Sequence, residues 1–123
     1  MKKIIIADDE DNIRILLRTI LGLQYDVVEA ESGSGLVEKT IEEKPDLIIT
    51  DIHMPPGKDG LHAVKEIKGL PEFIDLPVIF ISALLTEKLA YKENKPQGPS
   101  CFMDKPFSIE DLRSRVEEML EEM

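Results

Sequence analysis

The sequence predicts an α/β fold built around a parallel sheet, on the strength of three observations. Short runs rich in β-branched residues recur four times, at Ile4-Ile5-Ile6-Ala7, Val27-Val28-Glu29-Ala30, Leu47-Ile48-Ile49-Thr50 and Val78-Ile79-Phe80-Ile81, and a short apolar run, Cys101-Phe102-Met103, makes a fifth. Segments of helical period lie between them. Three of the runs are apolar without alternation, which marks strands covered by helices on both faces. The chain has 123 residues, so one domain over 1–123 is expected.

The first strand, 4–7, leads to a helix with Ile13, Leu16, Leu17, Ile20 and Leu21 on one face. The second strand, 27–30, alternates only weakly and is expected at a sheet edge. After Ser32-Gly33-Ser34-Gly35 comes a helix striped by Leu36, Val37, Thr40 and Ile41, which Pro45 stops. The third strand, 47–50, runs into the turn-rich Pro55-Pro56-Gly57-Lys58-Asp59-Gly60 and a helix with Leu61, Val64, Ile67 and Leu70 on its inner face. Pro77 opens the fourth strand, 78–81. The helix after it has only a partial stripe, Leu84, Leu85 and Leu89, and is expected to end near Tyr91 because Pro96, Gly98 and Pro99 forbid continuation. The short fifth strand, 101–103, precedes a capping box of Ser108 and Asp111 and a helix striped by Ile109, Leu112, Val116, Met119 and Leu120.

Composition narrows the function classes. Fifteen Lys and Arg against 25 Asp and Glu give a net charge of −10, so direct nucleic-acid binding, which needs a basic face, is not expected. The single cysteine, Cys101, permits no intramolecular disulfide and suits a reducing compartment. No apolar run approaches the ~18 residues of a membrane span, and Met1-Lys2-Lys3-Ile4-Ile5-Ile6-Ala7-Asp8 reaches acid too early for a signal peptide. A soluble cytoplasmic protein without membrane insertion is expected.

Polar residues that the periodicity does not explain follow four of the five strands: Asp8 and Asp9, Asp51, Ser82, and Lys105. In an open parallel sheet such strand ends meet in one crevice where the strand order reverses. Converging carboxylates need a cation, and an all-oxygen donor set with room for waters and a phosphate suits Mg²⁺, whereas zinc would want His or Cys. Lys105 adds a point charge suited to a phosphate oxygen, and Ser82 a hydroxyl donor. A carboxylate between such cations can act as a nucleophile toward phosphorus.

These pieces, in order from Ile4-Ile5-Ile6-Ala7-Asp8-Asp9 through Asp51-Ile52-His53-Met54-Pro55 and Ile81-Ser82-Ala83 to Lys105-Pro106-Phe107, resemble the receiver domain of bacterial two-component response regulators over nearly the whole chain. The resemblance implies a flavodoxin-like, doubly wound five-stranded parallel sheet of order 2-1-3-4-5 with helices on both faces, and a cis Lys105-Pro106 bond. It implies Asp51 as phosphoacceptor, with Asp8, Asp9, Asp51 and the backbone carbonyl of His53 as ligands of Mg²⁺, or Mn²⁺ in its place. It further implies Ser82 as the switch hydroxyl, Lys105 as the phosphate-binding lysine and Phe102 as the aromatic rotamer switch, here without the hydroxyl of the tyrosine common in the family. The implied function is a phosphorylation-controlled signalling switch, not an enzyme with a separate substrate. Its expected partners are a histidine kinase or phosphotransfer protein and a downstream protein target, with a homodimer left open. The chain resembles a stand-alone receiver or one excised from a longer regulator.

Two other readings fit less well. A phosphatase of the haloacid-dehalogenase type would place its Asp-x-Asp first and its acidic metal pair last, the reverse of the order here. A phosphorylation-independent docking module would not need the intact set of Asp8, Asp9, Asp51, Ser82 and Lys105. Cys101 and Met54 read as packing residues, and His53 as a loop side chain near the site. Two departures from the family stand out: the 51–60 loop is one residue longer than usual, and Lys92-Glu93-Asn94-Lys95-Pro96-Gln97-Gly98-Pro99 replaces the end of the fourth helix. The stretch from Tyr91 to Ser100 is expected to be mobile and to carry partner specificity.

Overall fold

The computed structural model describes residues 1–121. Five strands, β1 (Lys3–Ala7), β2 (Asp26–Ala30), β3 (Leu47–Asp51), β4 (Val78–Ser82) and β5 (Ser100–Asp104), alternate with helices α1 (Asp11–Leu21), α2 (Gly33–Glu43), α3 (Gly60–Lys68), α4 (Leu85–Glu93) and α5 (Ile109–Glu121). The sheet is parallel throughout in the order β2-β1-β3-β4-β5, as expected. The chain starts inside the sheet at β1, winds outward to β2 at the edge, and crosses back to build β3, β4 and β5 on the other side of β1. The order therefore reverses between β1 and β3, and that point positions the site.

Alternation is hidden in the sequence because both faces are apolar. Ile5, Ala7, Ile48, Val78 and Phe80 point to one side, where Leu36 of α2, Leu61, Val64 and Ile67 of α3 and Tyr91 of α4 cover them. Ile4, Ile6, Leu47, Ile49, Ile79 and Ile81 point to the other, beneath Leu17, Ile20 and Leu21 of α1 and Leu112, Val116, Met119 and Leu120 of α5. Each of these strand residues buries its side chain in one layer or the other, worth ~1.5–3 kcal/mol per large aliphatic group. Met54 is buried with the first layer and Cys101 packs partly buried against the second.

Several helical stripes differ from expectation at their margins. In α1 the buried set is Arg14, Leu17, Ile20 and Leu21, and Leu16 is exposed. The guanidinium of Arg14 turns inward because four oxygens meet it there: the Asp8 carbonyl, Asp11, Glu29 and Glu31. In α2 Ile41 is exposed, as is Ile109 at the start of α5. Helix α3 stops at Lys68, so Leu70 falls outside its stripe and instead opens a 3₁₀ turn at Pro71–Phe73. That turn buries Phe73 beneath the first layer, a use of the α3–β4 connection that its sequence did not announce.

The largest correction concerns α4. Leu84, Leu85 and Leu89 are all exposed; Tyr91 is the buried residue, and the helix continues to Glu93, two residues past the expected end. An aromatic ring close to the sheet reaches farther than a leucine, and Tyr91 packs on Phe80 and Phe102 with ring centroids 5.2 and 5.7 Å apart. Its hydroxyl meets Ser100 Oγ at 2.9 Å. The stretch expected to be mobile is thus pinned at both ends, since Val78 N also donates to Pro99 O at 3.1 Å. The Ser108 hydroxyl caps α5 by accepting from Asp111 N at 3.0 Å.

Candidate functional site

Strand register explains why two acids 43 positions apart meet. Ala7 of β1 pairs with Thr50 of β3, so the residues that follow, Asp8 and Asp51, leave the sheet side by side at its carboxyl edge. Both are buried, at 1% and 6% exposure. Asp9 and Glu10 are exposed at the rim. One carboxylate oxygen from each of Asp8, Asp9, Glu10 and Asp51 falls within a cluster whose members all lie within 4.8 Å of one another. Glu10 was not among the expected ligands, although its place directly after the acidic pair was the signal.

Backbone groups hold these carboxylates. Asp8 Oδ1 accepts from Glu10 N at 2.9 Å, and Asp51 Oδ1 accepts from His53 N at 3.3 Å. Arg14 Nη1 donates to the Asp8 carbonyl at 2.6 Å, fixing the chain just where β1 ends; nothing in the spacing of Arg14 distinguishes it from an ordinary solvent-facing arginine. From the far side of the crevice Lys105, the residue after β5, places Nζ 3.0 Å from Asp8 Oδ2 and 3.2 Å from Asp51 Oδ2. The Lys105-Pro106 bond is cis, as is Pro55-Pro56 in the lengthened loop.

The charges are unequal. Burial, with the neighbouring charge of Asp8, raises the Asp51 pKa to about 6, against the pull of Lys105 and the His53 amide. Burial also raises Asp8, with Glu10 N and Lys105 opposing. Burial works against the Lys105 ammonium, but its hydrogen bond to Asp8 and the two carboxylates outweigh it, so its pKa is raised. A single ammonium thus faces two buried acids and two more at the rim. Four hard oxygen donors with no His or Cys among them, short of positive charge, form a donor set that fits a hard divalent cation.

Ser82, the last residue of β4, is buried at 1% exposure. Its hydroxyl donates to Glu87 Oε1 of α4 and accepts from Leu84 N at 3.1 Å. Phe102 lies partly buried on the same sheet face, its ring tilted against that of Tyr91, with Lys88 Nζ 5.8 Å from its ring centre. The His53 side chain is mostly exposed and its Nδ1 lies 3.5 Å from Glu87 Oε2. The structure therefore brings Asp8, Asp9, Asp51 and Lys105 into one pocket, with Ser82 and Phe102 beside it under α4.

A family model described as the response regulator receiver domain matches residues 4–117. The chain belongs to this family. It is 32% identical over 120 residues to sporulation initiation phosphotransferase F of Bacillus subtilis, covering 97% of this chain and 94% of that protein. It is 35% identical over 115 residues to the transcriptional regulatory protein KdpE of Staphylococcus aureus, covering 93% of this chain but only 48% of that regulator. The sensor histidine kinase TmoS of Ectopseudomonas mendocina matches at 32% identity over 96% of this chain and 12% of its own length. Receiver domains thus occur alone and inside longer proteins, and this chain spans nearly all of the first relative and half or less of the other two. Among solved structures, the receiver domain of a signal transduction histidine kinase from Syntrophus aciditrophicus superposes with a TM-score of 0.88 at 28% identity, covering 100% of this chain and 92% of that one. Chemotaxis response regulator CheY4 of Vibrio cholerae does so with 0.85 at 25% identity, covering 98% and 99%. The function class of this receiver chain is that of its family, a phosphorylation-controlled switch in two-component signalling. Among the described residues no helix is long and apolar enough to cross a membrane.

Proposed function

We propose that this receiver domain, spanning 1–123, takes a phosphoryl group onto Asp51 from the phosphohistidine of a histidine kinase or phosphotransfer protein, and that the modified form binds a downstream protein target differently. The observation that carries the reading is the setting of Asp51: a buried carboxylate at the switch point of the sheet, beside Asp8, with the Lys105 ammonium 3.2 Å from Oδ2. An Asp51 oxygen attacks phosphorus, the bond from phosphorus to the donor nitrogen breaks, and the donor imidazole leaves with its electron pair. The product is an acyl phosphate.

Lys105 can release its two carboxylates and bind the incoming phosphoryl oxygens, which offsets the charge that spreads over them in the transition state. Asp8, Asp9 and Asp51, with Glu10 at the rim and the His53 carbonyl, would hold Mg²⁺, or Mn²⁺ in its place; the cation would supply charge neutralisation at the phosphoryl oxygens. The domain then catalyses only its own phosphorylation and dephosphorylation. Intact-mass measurement after incubation with a small phosphodonor tests the reading. One phosphoryl adduct is expected on the wild type with Mg²⁺, and none without Mg²⁺ or in Asp51→Asn. An adduct that persists in Asp51→Asn overturns it.

A further inference from the structure

We infer that Glu87 is a positioning residue that holds the Ser82 hydroxyl in the resting state and so sets how readily the domain switches, an inference that rests on Asp51 being the phosphorylation site.

A serine hydroxyl has one proton to donate. In this structure Ser82 gives it to Glu87 Oε1, while its lone pair accepts from Leu84 N at 3.1 Å. The acceptor is built into place. Glu87 stands in the first turn of α4, where the helix N-terminus favours a carboxylate, and its side chain is 14% exposed on a helix whose leucines face solvent. Its other oxygen, Oε2, lies 3.5 Å from His53 Nδ1, in the loop that leaves Asp51. Glu87 therefore ties α4 to the strand ends on either side of it, β4 through Ser82 and the end of β3 through His53.

A phosphoryl group on Asp51 offers the Ser82 proton a second anionic acceptor. The two acceptors compete for one donor, so the free energy of the Ser82–Glu87 bond is subtracted from the response to phosphorylation. When Ser82 turns to the phosphoryl group, Glu87 loses its donor and faces a new negative charge nearby. The lost bond frees the first turn of α4 and the repulsion drives it away from the site. Phe102 lies under the same helix, through Tyr91 and Lys88, so the displacement opens the space beside the ring.

The test measures affinity for a phosphoryl mimic, beryllofluoride with Mg²⁺, by calorimetry on the whole chain. Glu87→Ala is expected to bind the mimic ~10-fold or more tightly than wild type, the scale on which a hydrogen bond to a charged group acts. Glu87→Gln keeps the shape and an oxygen acceptor and should gain less. In a Ser82→Ala background the Glu87→Ala gain should shrink to the part that charge repulsion alone supplies, because no hydroxyl is left to contest. Equal affinity of wild type and Glu87→Ala, or an undiminished gain in the Ser82→Ala background, which would be the signature of bulk charge, overturns the inference while leaving Asp51 in place. A wild type that does not bind the mimic, or an Asp51→Asn variant that binds it equally well, overturns both.

Discussion

Asp51 Oδ2 and Lys105 Nζ meet at 3.2 Å although 54 positions separate them in sequence and the whole of β4 lies between their strands. Two strand spacings amount to ~10 Å, which the lysine stem and the aspartate together span across the mouth of the crevice. The same ammonium lies 3.0 Å from Asp8 Oδ2. Lys105 thus bridges buried acids whose mutual repulsion it only partly relieves.

Replacing Lys105 separates its two roles. Lys105→Ala should bind Mg²⁺ at least as tightly as wild type, since the ammonium competes with the cation for Asp8 and Asp51. Its phosphorylation by a small donor should slow by about 10²-fold, the scale on which a single preorganised charge contributes to a transition state. Calorimetric titration with Mg²⁺ and a time course of adduct formation measure the two effects. Loss of Mg²⁺ affinity in the variant would exclude the phosphate-binding role.

Ser82 and Phe102 should respond together. Ser82 and Phe80 point to the same face of β4, and Phe102 pairs with Phe80 in the register of β5, so hydroxyl and ring share one space beneath α4. Aromatic carbon shifts of Phe102 and Tyr91 should change when the phosphoryl mimic is added to wild type and remain fixed in Ser82→Ala. Phe102 shifts that do not move in wild type would show a static ring.

Lys68 yields a pH prediction outside the site. It is 6% exposed at the end of α3, and its Nζ donates to Ile74 O at 2.9 Å and to Leu76 O. Burial lowers its pKa from the ordinary 10.5 to about 8, against the attraction of Asp75. Below the folded value both folded and unfolded chains carry the charge, and the cost of burying it is fully present. As pH rises through that value the folded chain gives up a proton that the unfolded chain still holds, so folding stability rises with pH. A neutral amine still has two hydrogens for the two carbonyls. Relative to Lys68→Met, wild type should therefore gain about 3 kcal/mol between about pH 7.5 and about pH 10.5. Urea denaturation of both proteins measures it, and a pH-independent difference would place the Lys68 pKa near its ordinary value.

The sequence revealed some parts of the molecule and concealed others, for physical reasons. Strand order and the convergence of Asp8, Asp9, Asp51 and Lys105 were legible because a doubly wound sheet directs every carboxyl end to one crevice, so residues placed just after strands identify themselves. The faces of α4 and α1 were not. Periodicity counts apolar residues and takes no account of reach, so exposed Leu85 and Leu89 were weighted above Tyr91. Arg14 was invisible because a buried guanidinium depends on acids contributed by β2 and its exit, which no local pattern announces. Glu87 was hidden for the same reason: its partners Ser82 and His53 come from the ends of two different strands.

The connection between α4 and β5 was expected to be loose, and Gly98 tests how closely it is packed. Its φ is +82°, a region that L side chains rarely adopt, and a Cβ there would overlap the Ile74 carbonyl oxygen and come within 3.1 Å of Lys68 Nζ. Gly57, in the lengthened loop after Asp51, has a similar φ of +98° but open space around the same position. The two glycines share a conformational cost and differ in packing. Gly57→Ala should lose about 1 kcal/mol from the left-handed backbone alone, and Gly98→Ala about 2–3 kcal/mol, because rigid backbone is added to that cost. The excess at Gly98 should shrink in a Lys68→Met background, where the more flexible thioether leaves the 3₁₀ turn freer to give way. Urea denaturation of the two single variants and the Gly98→Ala, Lys68→Met double variant supplies the comparison. Equal losses at Gly57 and Gly98 would mean that the segment sits loosely over Ile74 and moves aside at no cost, the behaviour its proline- and glycine-rich sequence suggests.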